Sequence, residues 1–281
     1  MSFCVRLVLT TLLLLNFVTA LFAQLQVKLS QERTVYLLYE PMVFTLSITN
    51  ISDESIALSR EPGRSHDWLN FMIFNSLKEK VHQDEDFSVP SSTLDPGKTL
   101  NVPVNITPYY ALRSTGAYSI QAVVNLPGRQ PVQTSELYFS VGKGDVLWKK
   151  ELFEQGSKRV YSLIRFLENH DSNLYLRVED PNENIIYTTI RLGKMTAYTD
   201  PLVEFDKDRN IHIVHTAGAK TCRYTKADNK GKILQQQDRM VGTTRPILVR
   251  TGDGGVEFVG GVEPREKKTR PTLSQGQQGL M

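Results

Sequence analysis

Residues 36–50, YLLYEPMVFTLSITN, decide the fold class of this chain. From residue 42 onward apolar side chains recur at every second position, at Met42, Phe44, Leu46 and Ile48, with Val43, Thr45, Ser47 and Thr49 between them. A period of two is typical of a β-strand that buries one face. The polar residues 50–53 predict a turn, and residues 55–59 are predicted to return as the next strand. Most of the chain repeats this pattern, so the predicted fold class is all-β.

The N-terminus has the pattern of a secretory signal peptide. Arg6 precedes an apolar run over residues 7–18, and the small residues Ala20 and Ala23 follow before the polar Gln24. This order predicts a signal peptide over residues 1–23, cleaved after Ala23 or, alternatively, after Ala20. The run is shorter and more polar than the roughly 20 apolar residues of a spanning helix. We therefore expect export to the periplasm, cell surface or extracellular space, with no stable membrane span after signal removal.

Cysteine content and charge narrow the class of protein further. The chain has two cysteines, Cys4 and Cys222, and removal of the signal leaves Cys222 alone, without an internal disulfide. Exported eukaryotic proteins of this size usually carry several disulfides, so a bacterial envelope protein fits better. The 33 Lys and Arg residues nearly balance the 30 Asp and Glu residues. No basic stripe is present for phosphate neutralisation, so we expect no nucleic-acid partner.

Residues 24–142 are predicted to form the first domain. They contain seven or eight short alternating stretches separated by turn signals, which is typical of a β-sandwich. Pro103 interrupts one alternating stretch, and because proline cannot donate a backbone hydrogen bond, that stretch is predicted to be an edge strand. Trp68 is predicted to be a structural residue of the core, since packing is the more frequent role of tryptophan.

Three motifs in this domain resemble immunoglobulin-like domains of bacterial envelope proteins and macroglobulin-type modules. They are YEP at residues 39–41 before the alternating strand, LDPGK at residues 94–98, and TGAY at residues 115–118. The resemblance implies that Tyr118 is a corner tyrosine, with its ring in the core and its hydroxyl on the backbone. The paired cysteines of antibody domains are absent. The resemblance implies a fold and no particular function, because this architecture hosts unrelated activities.

Residues 144–262 are predicted to form a second domain with an internal repeat. Asp171, Asp208 and Asp253 each begin a phrase of Asp, any residue, Asn or Gly, and then apolar-x-apolar, at intervals of 37 and 45 residues. We interpret these aspartates as structural turn residues. Strands and turns at about forty residues per unit resemble β-propeller blades, and DRNIHI at residues 208–213 is similar to a phrase of sialidase-like propellers.

The length of the repeat region limits how complete a propeller can be. A closed propeller needs four or more blades, whereas this region holds about three units, the last of them truncated. We therefore expect an open β-meander or partial propeller-like domain, with a strand edge covered by the first domain or by a second subunit. Residues 263–281 are rich in Pro, Gln, Gly and Lys and are predicted to be a disordered tail. The whole resembles bacterial exported proteins with an immunoglobulin-like front half.

The sequence contains no recognisable catalytic, metal-binding or cofactor-binding motif, so no catalytic residue, metal ligand or cofactor is predicted. His212 and His215 are three apart on a predicted strand and would face opposite sides, which excludes a shared metal ion. Residues 206–210, DKDRN, begin like a calcium loop but lack its glycine and its glutamate, so a hairpin turn explains them better. Cys222 is interpreted as a small buried hydrophobe rather than a nucleophile.

The predicted function is therefore an exported, non-enzymatic binding or structural module of the cell envelope, whose ligand the sequence does not identify. An envelope protein or a glycan is the expected kind of partner, and a homo-oligomer is left open. One alternative is a carbohydrate-binding or carbohydrate-hydrolysing protein of sialidase-like type. That activity would need converging arginines, and the sequence does not place Arg165, Arg177, Arg191 or Arg223 in one pocket. The other alternative is a proteinase inhibitor, although no exposed reactive loop stands out.

Overall fold

The computed structural model describes residues 24–60, 67–154, 157–196 and 199–263, and over these ranges every regular element is a β-strand. The predicted signal peptide and residues 264–281 of the predicted tail lie outside the described residues. The contacts divide the chain into two compact units at the Gly144–Asp145 bond. The first unit contains β1 Leu25–Gln31, β2 Val35–Leu37, β3 Val43–Asn50, β4 Ile56–Leu58, β5 Leu69–Asn75, β6 Ser92–Leu94, β7 Thr99–Asn105, β8 Gly116–Val124, β9 Val132–Gln133 and β10 Leu137–Gly142. The second contains β11 Asp145–Glu154, β12 Ser157–Glu168, β13 Asp171–Asp180, β14 Ile185–Lys194, β15 Leu202–Phe205, β16 Ile211–Gly218, β17 Thr221–Ala227, β18 Ile233–Met240, β19 Ile247–Arg250 and β20 Val256–Val259.

Two sheets of the first unit share one hydrophobic core. One has the strand order β1-β3-β7, and the other has the order β2-β10-β8-β5 with β9 beside β8. The alternation predicted for β3 is confirmed, because Met42, Phe44, Leu46 and Ile48 are all fully buried. The ring of Phe44 contacts that of Phe139 on β10, with 5.4 Å between the ring centroids. The buried faces of the two sheets therefore form a single core.

The strand predicted over residues 55–59 is present as β4, and its partner is not β3. It pairs with β6, because both edges of β3 are occupied by β1 and β7. The side-chain amide of Asn50, at the end of β3, donates to the carbonyl oxygens of Glu54 and Leu94, each at 2.7 Å. These bonds turn the chain away from β3 and towards β6, so no β3–β4 hairpin forms.

The second unit has a propeller-like arrangement of small sheets. Strands β11–β14 form one four-stranded antiparallel sheet, β15–β18 form a second, and β19–β20 form a two-stranded sheet. A core that includes Leu163 and Leu174 of the first of these sheets and Ile213 of the second joins the two. On its other face, the second sheet packs Val214, Cys222 and Tyr224 against Leu248 and Phe258 of the two-stranded sheet. The three sheets thus stack in chain order, and the middle one is covered on both faces.

The three predicted repeat aspartates do not lie in equivalent turns. Asp208 and Asp253 lie in the first turns of the second and third sheets, β15–β16 and β19–β20, whereas Asp171 begins β13 after the second turn of the first sheet. The interval of 45 residues between Asp208 and Asp253 is therefore a structural period. The interval of 37 residues between Asp171 and Asp208 is not, because these two residues lie at different turns of their sheets. Any hairpin needs a polar turn before an alternating strand, so the same phrase arises at both kinds of turn.

Candidate binding groove

The open edge of β7 forms one wall of a groove in the first unit. Within the described residues β7 pairs with β3 only. The backbone N–H of Ile106 donates to the carbonyl oxygen of Met42 at 3.0 Å, and antiparallel hydrogen-bonded positions alternate along a strand. Asn101, Pro103 and Asn105 consequently direct their backbone groups away from β3. Pro103 lies where its missing N–H faces the open edge, which confirms the predicted edge strand.

The segment 87–90 forms the second wall, and side chains of Asp67 and Trp68 hold its backbone by hydrogen bonds. The indole nitrogen of Trp68 donates to the carbonyl oxygen of Val89 at 3.1 Å. The carboxylate of Asp67 accepts the backbone N–H of Val89 at 3.0 Å. The ring of Phe87 makes an edge contact with Tyr109, with the centroids 5.1 Å apart. Both backbone groups of Val89 are thereby satisfied although the segment belongs to no sheet.

We call the space between these walls the edge groove. Its volume is about 370 Å³, and its lining contains no charged residue: Phe87, Ser88, Val89, Pro90, Val102, Pro103, Val104, Asn105, Pro108 and Tyr109. Concave sites of about 300–1,000 Å³ with apolar walls and a few polar groups are typical of ligand pockets. Asp86, which precedes Phe87 in the sequence, lines a different cavity together with Arg60 and Asp67. The groove therefore presents apolar side chains and unpaired backbone groups to a ligand.

The predicted structural residues of the first unit have clear positions. Trp68 is 1% exposed, and through Val89 it holds one wall of the edge groove. Tyr118 is buried, and its hydroxyl donates to the carbonyl oxygen of Ser114 at 2.7 Å. Burial raises the pKa of Tyr118 above its ordinary value, although the hydrogen bond to Ser114 acts in the opposite direction.

The three repeat aspartates lie at exposed positions of the second unit. Asp171 forms an ion pair with Lys194 at 2.8 Å, and Asp253 accepts the hydroxyl of Thr251 at 2.5 Å. Asp208 is exposed in the middle of its turn. The buried carboxylate of that turn belongs instead to Asp206, which sequence reasoning treated only as the start of a failed calcium loop.

Asp206 is the centre of a buried polar network. Its carboxylate accepts hydrogen bonds from the Asn210 side chain at 2.8 Å, from His212 Nε2 at 3.1 Å and from Lys226 Nζ at 3.1 Å. His212 Nδ1 lies 2.9 Å from the hydroxyl of Tyr224. Despite desolvation, which acts to raise it, the pKa of Asp206 is held far below its usual range by these hydrogen bonds. The network ties β15, β16 and β17 together, and burial of His212 and Tyr224 encloses it.

His215 faces the opposite side of β16 from His212. Its Nε2 donates to the carbonyl oxygen of Lys194 at 3.1 Å, and burial lowers its pKa to about 4. Cys222 is buried against Val214 and Tyr224. Over the described ranges no group of three or more His, Cys, Asp or Glu side chains is placed to hold a metal ion.

The arginines considered for a sialidase-like site are engaged by different partners. Arg223 forms a two-fold ion pair with Asp238 at 2.7 and 2.8 Å. Arg165 pairs with Asp145 at 2.9 Å, Arg191 donates to Asn173 Oδ1 at 2.7 Å, and Arg177 donates to Thr189 Oγ1 at 3.0 Å. The four guanidinium groups are therefore not gathered around one acceptor.

The fold defines the class of this protein as all-β, with small sheets in a propeller-like arrangement. No helix of the described residues is long and apolar enough to cross a membrane. No model of a known protein family and no curated protein matches the chain. Among solved structures, it is similar to the crystal structure of Spo0M, a sporulation control protein from Bacillus subtilis, at 11% identity, with 58% of this chain and 81% of that chain covered and a TM-score of 0.32. A similarity of this size carries no argument about function.

Proposed function

We propose that the protein is an exported, non-enzymatic binding module of the cell envelope and that the edge groove is its binding site. The observation that carries the proposal is the groove, a concave site of about 370 Å³ with uncharged walls beside an unpaired strand edge. Its apolar side chains provide surface that a ligand can remove from water, which is the main driving force of association.

The fixed position of the groove walls favours binding. Val89 is held through both of its backbone groups by Trp68 and Asp67, and β7 is held along its length by β3. A site that exists before the ligand arrives loses less conformational entropy on binding. Little of the binding free energy is then spent on ordering these two walls.

We further propose that the first unit is an immunoglobulin-like sandwich and that the second is related to sialidase-like repeats. Two sheets around one core, together with the hydroxyl of Tyr118 on the carbonyl oxygen of Ser114, support the first assignment. Four-stranded meanders and the structural period of 45 residues support the second.

Export is proposed from the signal-peptide pattern of residues 1–23 and from the lone thiol of the mature chain. The buried position of that thiol, at Cys222, suits a protein that passes through an oxidising compartment, because a buried thiol is protected from exchange. The envelope of a bacterium is the proposed location.

The two alternative functions receive less support from the geometry. A sialidase-like site needs convergent arginines, and Arg165, Arg191 and Arg223 are held by different neighbours. A proteinase inhibitor needs an exposed, extended segment that the proteinase can bind. Leu77 is exposed, but it lies in a tight five-residue turn over residues 75–79 and does not offer such a segment.

The test is photo-cross-linking in intact cells. A photo-reactive phenylalanine analogue is placed at Ser88, an exposed residue of the groove lining, and in a matched variant at Gln130, an exposed loop residue outside it. We expect the Ser88 variant to give a discrete cross-linked product after illumination and the Gln130 variant to give none. Mass spectrometry of the product identifies the partner.

Two outcomes would contradict the proposal. One is the absence of any product from Ser88 when the variant is exported and folded. The other is a deletion strain whose only defect is loss of a hydrolytic activity that the purified protein restores.

A further inference from the structure

We infer that the ligand of the edge groove is an extended, uncharged segment of a partner protein that pairs with β7 as an additional β-strand. This inference rests on the proposed function, since it names the occupant of the same groove. An extended peptide that adds to a sheet edge gains main-chain hydrogen bonds, while its alternate side chains enter pockets.

The backbone of β7 supplies the groups that such a strand needs. Asn101, Pro103 and Asn105 direct their carbonyl oxygens to the open edge, and the two asparagines also direct their N–H groups there. A paired strand would therefore meet three acceptors and two donors in regular alternation. A compact ligand such as a sugar ring would use at most part of this row.

The lining of the groove selects against a charged ligand. None of its ten lining residues is charged, so a charged side chain of the ligand would be desolvated there without a partner. A segment with uncharged alternating residues complements this lining.

Substitution of Pro103 tests the inference, because strand pairing predicts that the variant binds its ligand more tightly. Because proline offers no N–H, a paired strand makes one hydrogen bond fewer at this position than elsewhere on β7. Replacing Pro103 by alanine restores that donor. Strand pairing then predicts tighter binding, by about two- to tenfold for one added hydrogen bond. A purely apolar cleft predicts no gain, because the proline ring is lost from its lining.

The experiment uses the mature chain, residues 24–281, and three synthetic peptides of identical side chains. The parent peptide is Lys-Ser-Val-Thr-Val-Ser-Val-Thr-Gly, in which the terminal lysine serves only for solubility. In the second peptide the odd-numbered residues after the first carry N-methyl groups, and in the third peptide the even-numbered residues carry them. Isothermal titration calorimetry measures the affinity of each peptide for the natural chain and for Pro103→Ala. Thermal unfolding checks that the variant remains folded.

We expect the parent peptide to bind, one N-methylated series to lose binding at least tenfold, and the other to retain it, since alternate N–H groups of a strand face opposite edges. Pro103→Ala is expected to bind the parent more tightly. Equal binding of both N-methylated peptides, or weaker binding to Pro103→Ala, would overturn the strand-pairing inference.

Failure of the inference is distinguishable from failure of the proposed function. If no peptide of the series binds while the Ser88 cross-link forms in cells, the groove is a binding site for a different kind of ligand and the inference is overturned. If the cross-link is absent as well, the proposed function fails with it.

Discussion

At the scale of single residues, the hydroxyl of Tyr118 is predicted to contribute measurably to the stability of the first unit. It donates to the carbonyl oxygen of Ser114 at 2.7 Å in a mostly buried position. Tyr118→Phe leaves that carbonyl without its partner and is expected to lower the free energy of unfolding by about 1 kcal/mol. Urea denaturation measures the change.

Tyr138 provides the matched control, because its hydroxyl bonds to Glu136 at an exposed site. Tyr138→Phe is expected to cost less than about 0.5 kcal/mol. Equal effects of the two substitutions would show that the bond to Ser114 is not worth more than a surface contact.

A second prediction at this scale concerns the response of stability to pH. Burial lowers the pKa of His215 to about 4, below its ordinary value, and Arg223 and Asp238 lie nearby on the same face. Between these two pKa values the unfolded chain binds more protons than the folded chain, so stability falls as the pH drops from about 6.5 to 4. The loss attributable to His215 is about 3 kcal/mol.

His215→Gln keeps a side-chain donor for the carbonyl oxygen of Lys194 and removes the titration. Urea midpoints at pH 7.5, 5.5 and 4.5 are expected to fall less steeply for this variant than for the natural chain. Parallel pH profiles would refute the assignment to His215. The sequence showed that His215 and His212 face opposite sides of a strand, but it could not show burial, which depends on the neighbouring sheet.

At the scale of elements, one hairpin turn recurs through both units. It begins at Asn75, Asp206, Asp228 and Thr251, and in each case the N–H of this first residue donates to the carbonyl oxygen four residues later, at 2.9–3.1 Å. The fourth residue of each turn has a positive φ, between 61 and 85°. Asp206 and Thr251 are 45 residues apart, so they mark the repeat of the second unit more faithfully than the three aspartates chosen from the sequence.

At this scale the sequence predicted single strands better than it predicted which strands pair with one another. The alternation of β3 was sufficient to predict that strand and its buried face. The partner of a strand was not predictable in the same way, as β4 shows, because it depends on which edges are already occupied. The edge groove was missed because one wall, residues 87–90, belongs to no strand and carries no periodic pattern, and only Pro103 marked the other wall, residues 102–105.

A third prediction tests the turn between β17 and β18. Gly231 has a φ of 85°, and a Cβ atom there would lie 2.2 Å from Cγ2 of Thr188 in the neighbouring sheet. Gly231→Ala therefore adds a steric overlap to the cost of the left-handed conformation and is expected to destabilise by about 3 kcal/mol.

Gly97→Ala is the matched control, since Gly97 has a φ of 70° with nothing within 4 Å of the added Cβ. Its expected cost is about 1 kcal/mol, from the left-handed conformation alone. Thermal unfolding distinguishes the two variants. A cost for Gly231→Ala no larger than that for Gly97→Ala would mean that Thr188 moves aside freely.

At the scale of the whole molecule, each unit has its own core, and the first is expected to fold alone. The core of residues 24–144 includes Phe44, Phe71 and Phe139 and draws on both of its sheets. A compact unit with a complete core can fold independently. A fragment ending at Gly144 is expected to show a cooperative urea transition and a near-ultraviolet circular dichroism signal from its aromatic residues.

A fragment that unfolds gradually, without a sigmoidal transition, would contradict this prediction. A boundary near residue 143 was expected, because the two predicted domains were residues 24–142 and 144–262. The order in which the sheets of the second unit stack was not predictable from the sequence. That order depends on which faces of the folded sheets are apolar.

The stacking of three sheets in chain order has a consequence for how this chain can change in length. The middle sheet contacts one sheet before it and one after it, as a repeat does in a linear array, where stability is passed between nearest neighbours. Duplication of a 45-residue segment would therefore insert another layer with a face for each neighbour, and the existing layers would keep their contacts. The second unit has the architecture of a chain that can grow by gene duplication, one layer at a time.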